Sequence, residues 1–326
     1  MTSRAVQRKS KSGAGPGTAS VLAVRLLQAV KRCREANADV EGIAVAVSGG
    51  LDSMVLAEAL HRTGVRFTVL HFNHRWRGAS SRQDLLWVKR WAEARGLPFV
   101  SGRSARPGVV GENEARESRW RFFYDGCKEA GCGQLWLAQH ADDLVETFLL
   151  QLMRGAGPEG MASLRAVRVK HGVRVVRPLL EFSKGELKQI AKGWGLEWRE
   201  DPTNEWMTQF RNRVRLKLVP FMEEIAGRPV REPIWRAARV LADENEYWEE
   251  LLPASWPEKV SCGLKLKPVA HQRRYLRGWL KAQGVPGVGF ELIESVRSLL
   301  TDLHKSKVNL PGDRHCRRRA GYLFIE

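Results

Sequence analysis

Short apolar runs alternate with longer amphipathic segments along the first half of the chain. Four of these runs predict strands, at residues 43–47, 67–72, 99–101 and 135–138. The first run is uninterrupted, which is typical of a strand that is covered on both faces. The segments between the strands predict helices at residues 21–34, 54–60, 81–95, 112–130 and 142–153. Strands that alternate with helices imply right-handed crossovers, so we expect a doubly wound, mainly parallel α/β sheet.

The pattern changes after about residue 153. A further strand is predicted at residues 173–176, and helices are predicted at residues 184–194, 211–224 and 234–252. Beyond residue 253 the segments are shorter and interrupted by Pro and Gly, with strands predicted at residues 307–310 and 322–325. We therefore expect one domain over residues 21–226 and, over residues 227–326, a helical linker with a smaller C-terminal α+β domain.

The net charge of +18 adds an expectation about partners. So large a positive surplus causes self-repulsion unless a polyanion is bound, which favours nucleic acid, although many basic proteins bind none. Residues 1–20 contain four cations and no acids in a stretch rich in Gly, Ser and Pro. We expect a disordered basic tail there rather than a transit peptide, because no amphipathic apolar face appears before Val21.

The cysteines and the apolar runs indicate in which cellular compartment the protein is expected. Five cysteines with no Cys-x-x-Cys pair argue against a disulfide framework or a zinc ribbon, and they suit a reducing cytoplasm. No apolar run reaches the length of about 18 residues that a membrane span needs. The sequence predicts a cytoplasmic protein with no membrane partner, and it leaves the oligomeric state open, a homodimer included.

A Gly- and Ser-rich loop lies between the first predicted strand and the next helix. Its residues are Ser48, Gly49, Gly50, Leu51, Asp52 and Ser53. A strand that enters a helix through small residues directs several backbone N–H groups and the positive end of the helix dipole to one point, where phosphate binds. Asp52 would repel phosphate unless a cation lay between them, which predicts a Mg²⁺ ligand. An ordinary Gly-rich turn is the alternative, and the order of strand, loop and helix favours the nucleotide site.

Further motifs follow this loop along the chain. They are His71-Phe72-Asn73-His74-Arg75-Trp76-Arg77, Glu112 with Ala115-Arg116 and Arg119-Trp120, His140-Ala141-Asp142-Asp143-Leu144-Val145-Glu146-Thr147, Arg154-Gly155-Ala156-Gly157, Arg177-Pro178-Leu179-Leu180, Glu200-Asp201-Pro202-Thr203-Asn204 and Arg211-Asn212-Arg213-Val214-Arg215. With the loop, they resemble the PP-loop (N-type) ATP pyrophosphatases and, among these, the tRNA(Ile)-lysidine synthetase family, over about residues 40–220. Gln139, Leu144 and Trp76 depart from the family's usual histidine, glutamine and leucine, and none of them removes a charged group.

The resemblance implies an ATP-dependent tRNA modification. Cytosine O2 at the first anticodon position of tRNA(Ile) with a CAU anticodon would attack the α-phosphate of ATP, and pyrophosphate would leave. The ε-amine of L-lysine would then displace AMP at C2. This chemistry needs positive charge where pyrophosphate departs and a carboxylate that binds and deprotonates the ammonium group of lysine. It also needs the cytosine to be turned out of the base stack. Residues 21–226 would be the catalytic domain, with a tRNA-binding domain after the linker, and the expected ligands are ATP, Mg²⁺, L-lysine and this tRNA.

The resemblance also implies the site residues. Asp143 would accept or orient the proton and Glu146 would hold the amino group of lysine, although acids at the start of a helix can simply complement its dipole. The implied catalytic residues are Asp52, Arg119, Asp143, Glu146 and Arg211. The implied nucleotide-binding residues are the loop residues and His71, and the implied substrate-binding residues are Arg116, His140, Asp142 and Asn212.

Three basic stretches, residues 211–217, 273–277 and 314–319, are candidate contacts for the tRNA backbone, with a solvated surface as the alternative. Other functions stay open at this point. A PP-loop tRNA thiolase would place cysteines near the loop, and this chain has none there; an amide ligase would carry a glutaminase segment before the loop. A non-catalytic tRNA-binding protein would not need the charged residues of the loop and of the motif that begins at His140.

Overall fold

The computed structural model describes residues 16–75, 79–104, 111–200 and 209–326. The predicted tail up to residue 15 and the motif residues 76, 77 and 201–204 lie outside the described residues. Helix α1 (Pro16–Glu35) begins five residues before Val21, so residues 16–20 of the predicted tail are helical. The chain forms two compact units, Met1–Asn245 and Glu246–Glu326.

A six-stranded sheet forms the centre of the first unit. Its strands are β1 (Ile43–Ala46), β2 (Thr68–Asn73), β3 (Phe99–Arg103), β4 (Gln134–Trp136), β5 (Val167–Lys170) and β6 (Val173–Val176). The order is β3-β2-β1-β4-β6-β5, and every neighbouring pair is parallel except β5 and β6. The prediction of a mainly parallel α/β sheet is confirmed. Strand β5 was not predicted, because none of its residues is buried and its apolar pattern is therefore weak.

Helices cover both faces of this sheet. The helices that begin in the first unit are α1, α2 (Leu51–Arg62), α3 (Ala79–Glu93), α4 (Glu112–Glu129), α5 (Ala141–Met153), α6 (Pro158–Met161), α7 (Lys184–Gly193), α8 (Phe210–Arg213), α9 (Val219–Ala226) and α10 (Arg231–Glu250). Alternate strand residues point to opposite faces. Val45 and Trp136 pack with α1, α2, α3 and α7 on one face, whereas Ala44 and Leu135 pack with α4 on the other. A π-helical segment, Val214–Leu218, joins α8 to α9.

The strand order places a crevice beside β1. The chain leaves β1 for β2 on one side, and β4 lies on the other side of β1. In open α/β sheets the loops that follow such strands diverge and leave room for a ligand at the carboxyl edge. The loops after β1 and β4 contain the Gly/Ser motif and His140, so the topology brings the two most specific motifs together.

The second unit is a smaller α+β domain, as predicted. Its elements are β7 (Val260–Ser261), α11 (Val269–Ala282), α12 (Phe290–Thr301), β8 (Lys307–Leu310), β9 (Arg314–Arg319) and β10 (Tyr322–Ile325). The strands form an antiparallel sheet in the order β7-β10-β9-β8, packed against α11 and α12 around the buried Trp279 and Leu299. Helices α11 and α12 and strand β9 were not predicted.

The division between the units falls within α10, later than the boundary predicted at residues 226/227. The first half of α10 belongs to the first unit because its apolar residues pack there. Trp235 and Ala238 contact a small apolar cluster with Leu180. The Trp235 indole N–H also donates to the Leu180 carbonyl at 2.7 Å.

None of the five cysteines forms a disulfide. Burial raises the pKa of the Cys127 and Cys316 thiols to about 12, so both are neutral core residues. Among the helices of the described residues, none combines the length and the apolar character that a bilayer crossing requires.

Candidate active site

The loop between β1 and α2 is organised around the Ser53 hydroxyl. Ser53 Oγ donates to the Gly50 carbonyl at 2.9 Å and accepts from the Ser48 N–H at 3.2 Å. Gly49 has a φ of 92°, and a Cβ on it would lie 3.2 Å from Val88 Cγ2. The backbone can follow this path only with glycine at position 49.

Helix α2 presents its N-terminus at this loop. Gly50 is the N-cap and has no side chain to bond the first helical N–H groups, which have no partners within the helix itself. Such an N-terminus attracts anions, phosphate above all. Asp52 lies in the first turn, and its buried Oδ1 has no hydrogen-bond partner among the described residues. The loop therefore combines donors for phosphate with one carboxylate oxygen that is free to bind a cation.

His71, near the end of β2, lies directly behind the loop. Its Nδ1 is 2.8 Å from the carbonyl oxygen of Val47, and a carbonyl can only accept, so Nδ1 carries the hydrogen. Burial lowers the pKa of His71, which favours the neutral ring. Its Nε2 is then an acceptor.

His140 links the loop to helix α5. Its Nε2 lies 3.5 Å from Asp52 Oδ2 and 3.6 Å from Asp143 Oδ2. Burial alone would lower the pKa of His140. The hydrogen bond to Asp52 and the charges of Asp143, Asp52 and Asp142 outweigh burial, so the pKa is raised. The imidazole lies between the carboxylates of Asp52 and Asp143, and its raised pKa favours the charged form. His140 therefore links the loop to the start of α5.

Two carboxylates of α5 are held by two arginines from α8 and the π-helical segment. Glu146 is fully buried, and its oxygens accept from Arg211 Nε at 2.7 Å and from Arg215 Nε at 2.6 Å. Arg211 also donates to Asp143 Oδ1 at 3.1 Å. Burial would lower the pKa of Arg211, but the charges of Asp143 and Glu146 raise it overall. We call Asp143, Glu146, Arg211 and Arg215 the carboxylate–arginine cluster.

Asp143 is ionised in this environment. Burial acts to raise its pKa, but the positive charges of His140 and Arg211 and a hydrogen bond from the His140 N–H, 3.0 Å from Asp143 Oδ2, lower it overall. The carboxylate is thus fixed through both oxygens and remains charged. Asp143 and Asp52 both lie beside the His140 imidazole. Asp143 therefore brings a negative charge close to the phosphate loop.

Two acidic residues have contacts that differ from the predicted substrate contacts. Asp142 Oδ2 accepts from the Lys184 N–H at the start of α7, and Asp142 Oδ1 pairs with Arg231 of α10, each at 2.8 Å. These contacts make Asp142 a structural link between helices. Glu146 was predicted to hold the amine of lysine, but its oxygens are already bound by arginines, so the contacts favour a positioning role.

The remaining predicted residues lie on other elements. Arg116 and Arg119 are exposed on α4, and Asn212 is buried in α8. Arg116 lies apart from the carboxylate–arginine cluster. Its charge instead helps to lower the pKa values of Lys170 and Arg177.

The basic stretches are largely used within the fold. Arg318 donates to the carbonyl of Leu299, near the end of α12, and to the carbonyls of Asp302 and Leu303, which follow the helix. Arg273 pairs with Glu294 at 2.8 Å. Arg211 and Arg215 bind Glu146, so these arginines have partners within the fold. The expectation that the basic stretches contact tRNA stays a prediction.

Sequence reasoning missed Arg215, Arg231 and Arg177. Arg215 follows Arg211 by four residues, a spacing that places both on one helical face and gives a usable signal. Arg177 donates to the side chain of Gln139, the residue before His140, and to the Arg165 carbonyl at 2.8 Å. Nothing in the local sequence indicates these two contacts, because they join separate segments.

Replacement of Arg215 by Met should destabilise the protein. Glu146 would keep Arg211 but lose two charge-assisted hydrogen bonds in a buried position. We expect the free energy of unfolding to fall by about 2–3 kcal/mol, measured by urea unfolding. The control Lys217→Met changes an exposed residue of the same segment and should stay within about 0.5 kcal/mol. Equal effects of the two changes would show that Glu146 does not depend on Arg215.

The fold and the site together define a nucleotide-binding α/β domain with a phosphate loop at its switch point. The PP-loop domain family matches residues 20–222, and the TilS substrate binding domain family matches residues 262–324. A tRNA(Ile)-lysidine synthase of Thermosynechococcus vestitus is 31% identical over 288 residues, which cover 84% of this chain and 83% of that protein. The chain belongs to the tRNA(Ile)-lysidine synthase family, which confirms the resemblance.

Other comparisons agree with this assignment. A tRNA(Ile)-lysidine synthase of Solibacter usitatus is 32% identical over 83% of this chain. The chain spans 64% of the length of that relative, and 61% of the length of a Geobacter sulfurreducens relative. The solved U34-tRNA thiolase NcsA of Methanococcus maripaludis has a TM-score of 0.55 and 16% identity, covering 69% of this chain and 80% of NcsA. That likeness shows the shared fold alone.

Proposed function

We propose that the protein is an ATP-dependent ligase that joins L-lysine to C2 of the cytidine at the first anticodon position of tRNA(Ile) with a CAU anticodon. The product is lysidine, and AMP and pyrophosphate are released. One observation carries the proposal: His140 bridges Asp52 of the phosphate loop to Asp143 of the carboxylate–arginine cluster. We place the reaction in the cytoplasm, where tRNA, ATP and lysine meet and free thiols stay reduced.

In the first step cytosine O2 attacks the α-phosphorus of ATP, and the bond from that phosphorus to the bridging oxygen breaks. The N–H groups at the start of α2 and the hydroxyl of Ser48 hold the departing pyrophosphate, and the Ser53 hydroxyl shapes the loop through its bond to the Gly50 carbonyl. Donors that are already oriented stabilise developing charge without reorganisation. His71 supports the loop from behind through its bond to Val47.

The donor set at Asp52 fits magnesium. Mg²⁺ is commonly held by one or two carboxylates together with substrate phosphates, and Asp52 Oδ1 is a buried oxygen without a hydrogen-bond partner among the described residues. No group of three or more metal-binding side chains occurs in the described part of the chain, so the nucleotide would supply the other ligands. When bound, the ion offsets the charge of the leaving pyrophosphate.

In the second step the ε-amine of lysine attacks C2, and the C2–O bond to AMP breaks. The ammonium must first lose a proton, and the ionised Asp143 is the carboxylate placed to orient the amine or accept that proton. Arg211, held by Glu146, keeps Asp143 charged and fixed. We assign Arg119, exposed on α4, to the phosphate of the adenylated base, and Arg116 and Asn212 to the RNA substrate.

Lysine incorporation tests this function. Purified protein with ATP, Mg²⁺ and labelled lysine should label a tRNA(Ile) transcript that carries a CAU anticodon, with one AMP formed per lysine. An elongator methionine tRNA with the same anticodon is the matched control and should remain unlabelled. Labelling of neither RNA by protein that binds ATP would reject the proposal, and equal labelling of both would reject its specificity.

A further inference from the structure

Two rows of side chains on the first unit combine positive charge with aromatic rings. Arg116, Trp120 and Tyr124 are spaced four residues apart on α4 and share one helical face. Arg168 and Lys170 are two apart on β5 and share one strand face. We call these five residues the α4–β5 basic surface.

Ring contacts join the two rows. Lys170 Nζ lies 5.0 Å from the centre of the Trp120 ring, a cation–π contact. Trp120 stacks on Tyr124 with ring centres 5.5 Å apart, and the Tyr124 ring meets His171, which follows β5, edge to face at 4.9 Å. The aromatic rings therefore hold the ammonium of Lys170 in a fixed position and contribute to a shaped surface.

Two positive charges of this surface are not neutralised by the part of the fold that the structure describes. Neither Arg168 nor Lys170 forms an ion pair with a described residue. Burial, together with the charges of Arg116 and Arg168, lowers the pKa of Lys170. Burial, followed by the same two charges, lowers the pKa of Arg177 to about 10. An anion at this surface would relieve the repulsion between these groups.

The surface begins at the catalytic edge of the sheet. Val167 pairs with Val176, and Lys170 pairs with Val173, so β5 runs away from the edge at which β6 ends. Arg177 follows β6 at that edge and bonds Gln139, which precedes His140. If the reacting nucleotide of an RNA lies at His140, the neighbouring nucleotides can therefore lie along β5 and α4.

We propose that the α4–β5 basic surface binds the ribose-phosphate backbone of the RNA substrate next to the nucleotide that is modified. The inference rests on the proposed function for the identity of the RNA. The contacts are to the backbone, because arginine and lysine side chains bound to phosphate position a nucleic acid without reading its sequence. The surface should therefore contribute affinity and leave the chemical step unchanged.

The double variant Arg168→Glu/Lys170→Glu tests this surface. We expect the dissociation constant for the tRNA(Ile) transcript to rise about tenfold or more, and the slope of log affinity against log salt to fall by about 2, since each lost phosphate contact removes about one unit. The KM for tRNA should rise similarly, while kcat at saturating tRNA and the KM values for ATP and lysine stay within twofold. Filter binding and lysine incorporation give these values.

Matched variants distinguish a local RNA contact from a general effect of net charge or of misfolding. Lys188→Glu/Lys192→Glu reverses the same number of exposed charges on α7, across the sheet, and should leave affinity within twofold. The milder Arg168→Gln/Lys170→Gln should give a smaller loss in the same direction, and thermal melts check folding. Equal losses in both glutamate variants, or a fall in kcat without a change in KM, would overturn the inference. If the unchanged protein binds the tRNA but incorporates no lysine, the proposed function fails and the binding comparison still decides the role of the surface.

Discussion

Replacement of Asp143 by Asn is expected to slow lysine transfer by roughly 10²- to 10⁴-fold, the range for loss of a positioned proton acceptor. The amide has the same shape and can still accept from the His140 N–H. It cannot take a proton from an ammonium, and it no longer balances the charge of Arg211. In the proposed reaction pyrophosphate leaves before lysine reacts, so adenylated tRNA should accumulate. Single-turnover assays with ATP labelled in the α-phosphate would show that intermediate on a gel.

Asp142→Asn is the matched control for this prediction. Asp142 is the preceding carboxylate, and its oxygens bind the Lys184 N–H and Arg231. We expect its replacement to lower stability and to change the rate of lysine transfer by less than about tenfold, because the lost contacts are structural. If Asp142→Asn slowed lysine transfer more than Asp143→Asn did, the proton acceptor would be Asp142, and the assignment of Asp143 would be wrong.

Replacement of Asp52 by Asn should reduce pyrophosphate release on the order of 10³-fold, in line with losses seen when one group that stabilises the transition state is removed. The change removes the one carboxylate of the phosphate loop. Adenylation and lysine transfer should then fall together, unlike in Asp143→Asn, because the second step needs the product of the first. The measurement is pyrophosphate release in a single turnover, repeated over a range of Mg²⁺ concentrations.

His140→Gln provides the control for Asp52. It removes the imidazole that lies 3.5 Å from Asp52 and leaves the carboxylate in place. If Asp52 acts through the phosphates, His140→Gln should have a much smaller effect on pyrophosphate release than Asp52→Asn, and its Mg²⁺ dependence should remain. Equal losses would indicate instead that the ion pair between the two side chains is what the reaction needs.

The first unit was largely predictable because its signals are local. The apolar run before the phosphate loop, the glycines and the helix that follows occupy one continuous stretch, and the structure has them as β1, the loop and α2. The alternation of strands and helices then limits the topology to few choices. The contacts of Asp142 and Glu146 were not predictable in this way, since Arg231 and Arg215 reach them from far along the chain.

The second unit was less predictable, and helix α11 shows why. Gly278 lies inside this helix, where glycine ordinarily weakens a helical pattern. A Cβ at that position would lie 2.1 Å from Cζ2 of Trp256, so the glycine makes room for the indole. The missing side chain that weakens the helical signal in the sequence is thus what allows the domain core to close.

The two glycines of the phosphate loop are subject to different constraints. At Gly50 the backbone has φ of −75°, and a Cβ would lie 3.4 Å from Ser48 Oγ, so the peptide chain itself tolerates a methyl group there. At Gly49 the positive φ would strain any residue that carries a Cβ. A substitution at position 49 should therefore destabilise the loop itself, whereas a small side chain at position 50 should leave the loop folded and affect only what binds to it.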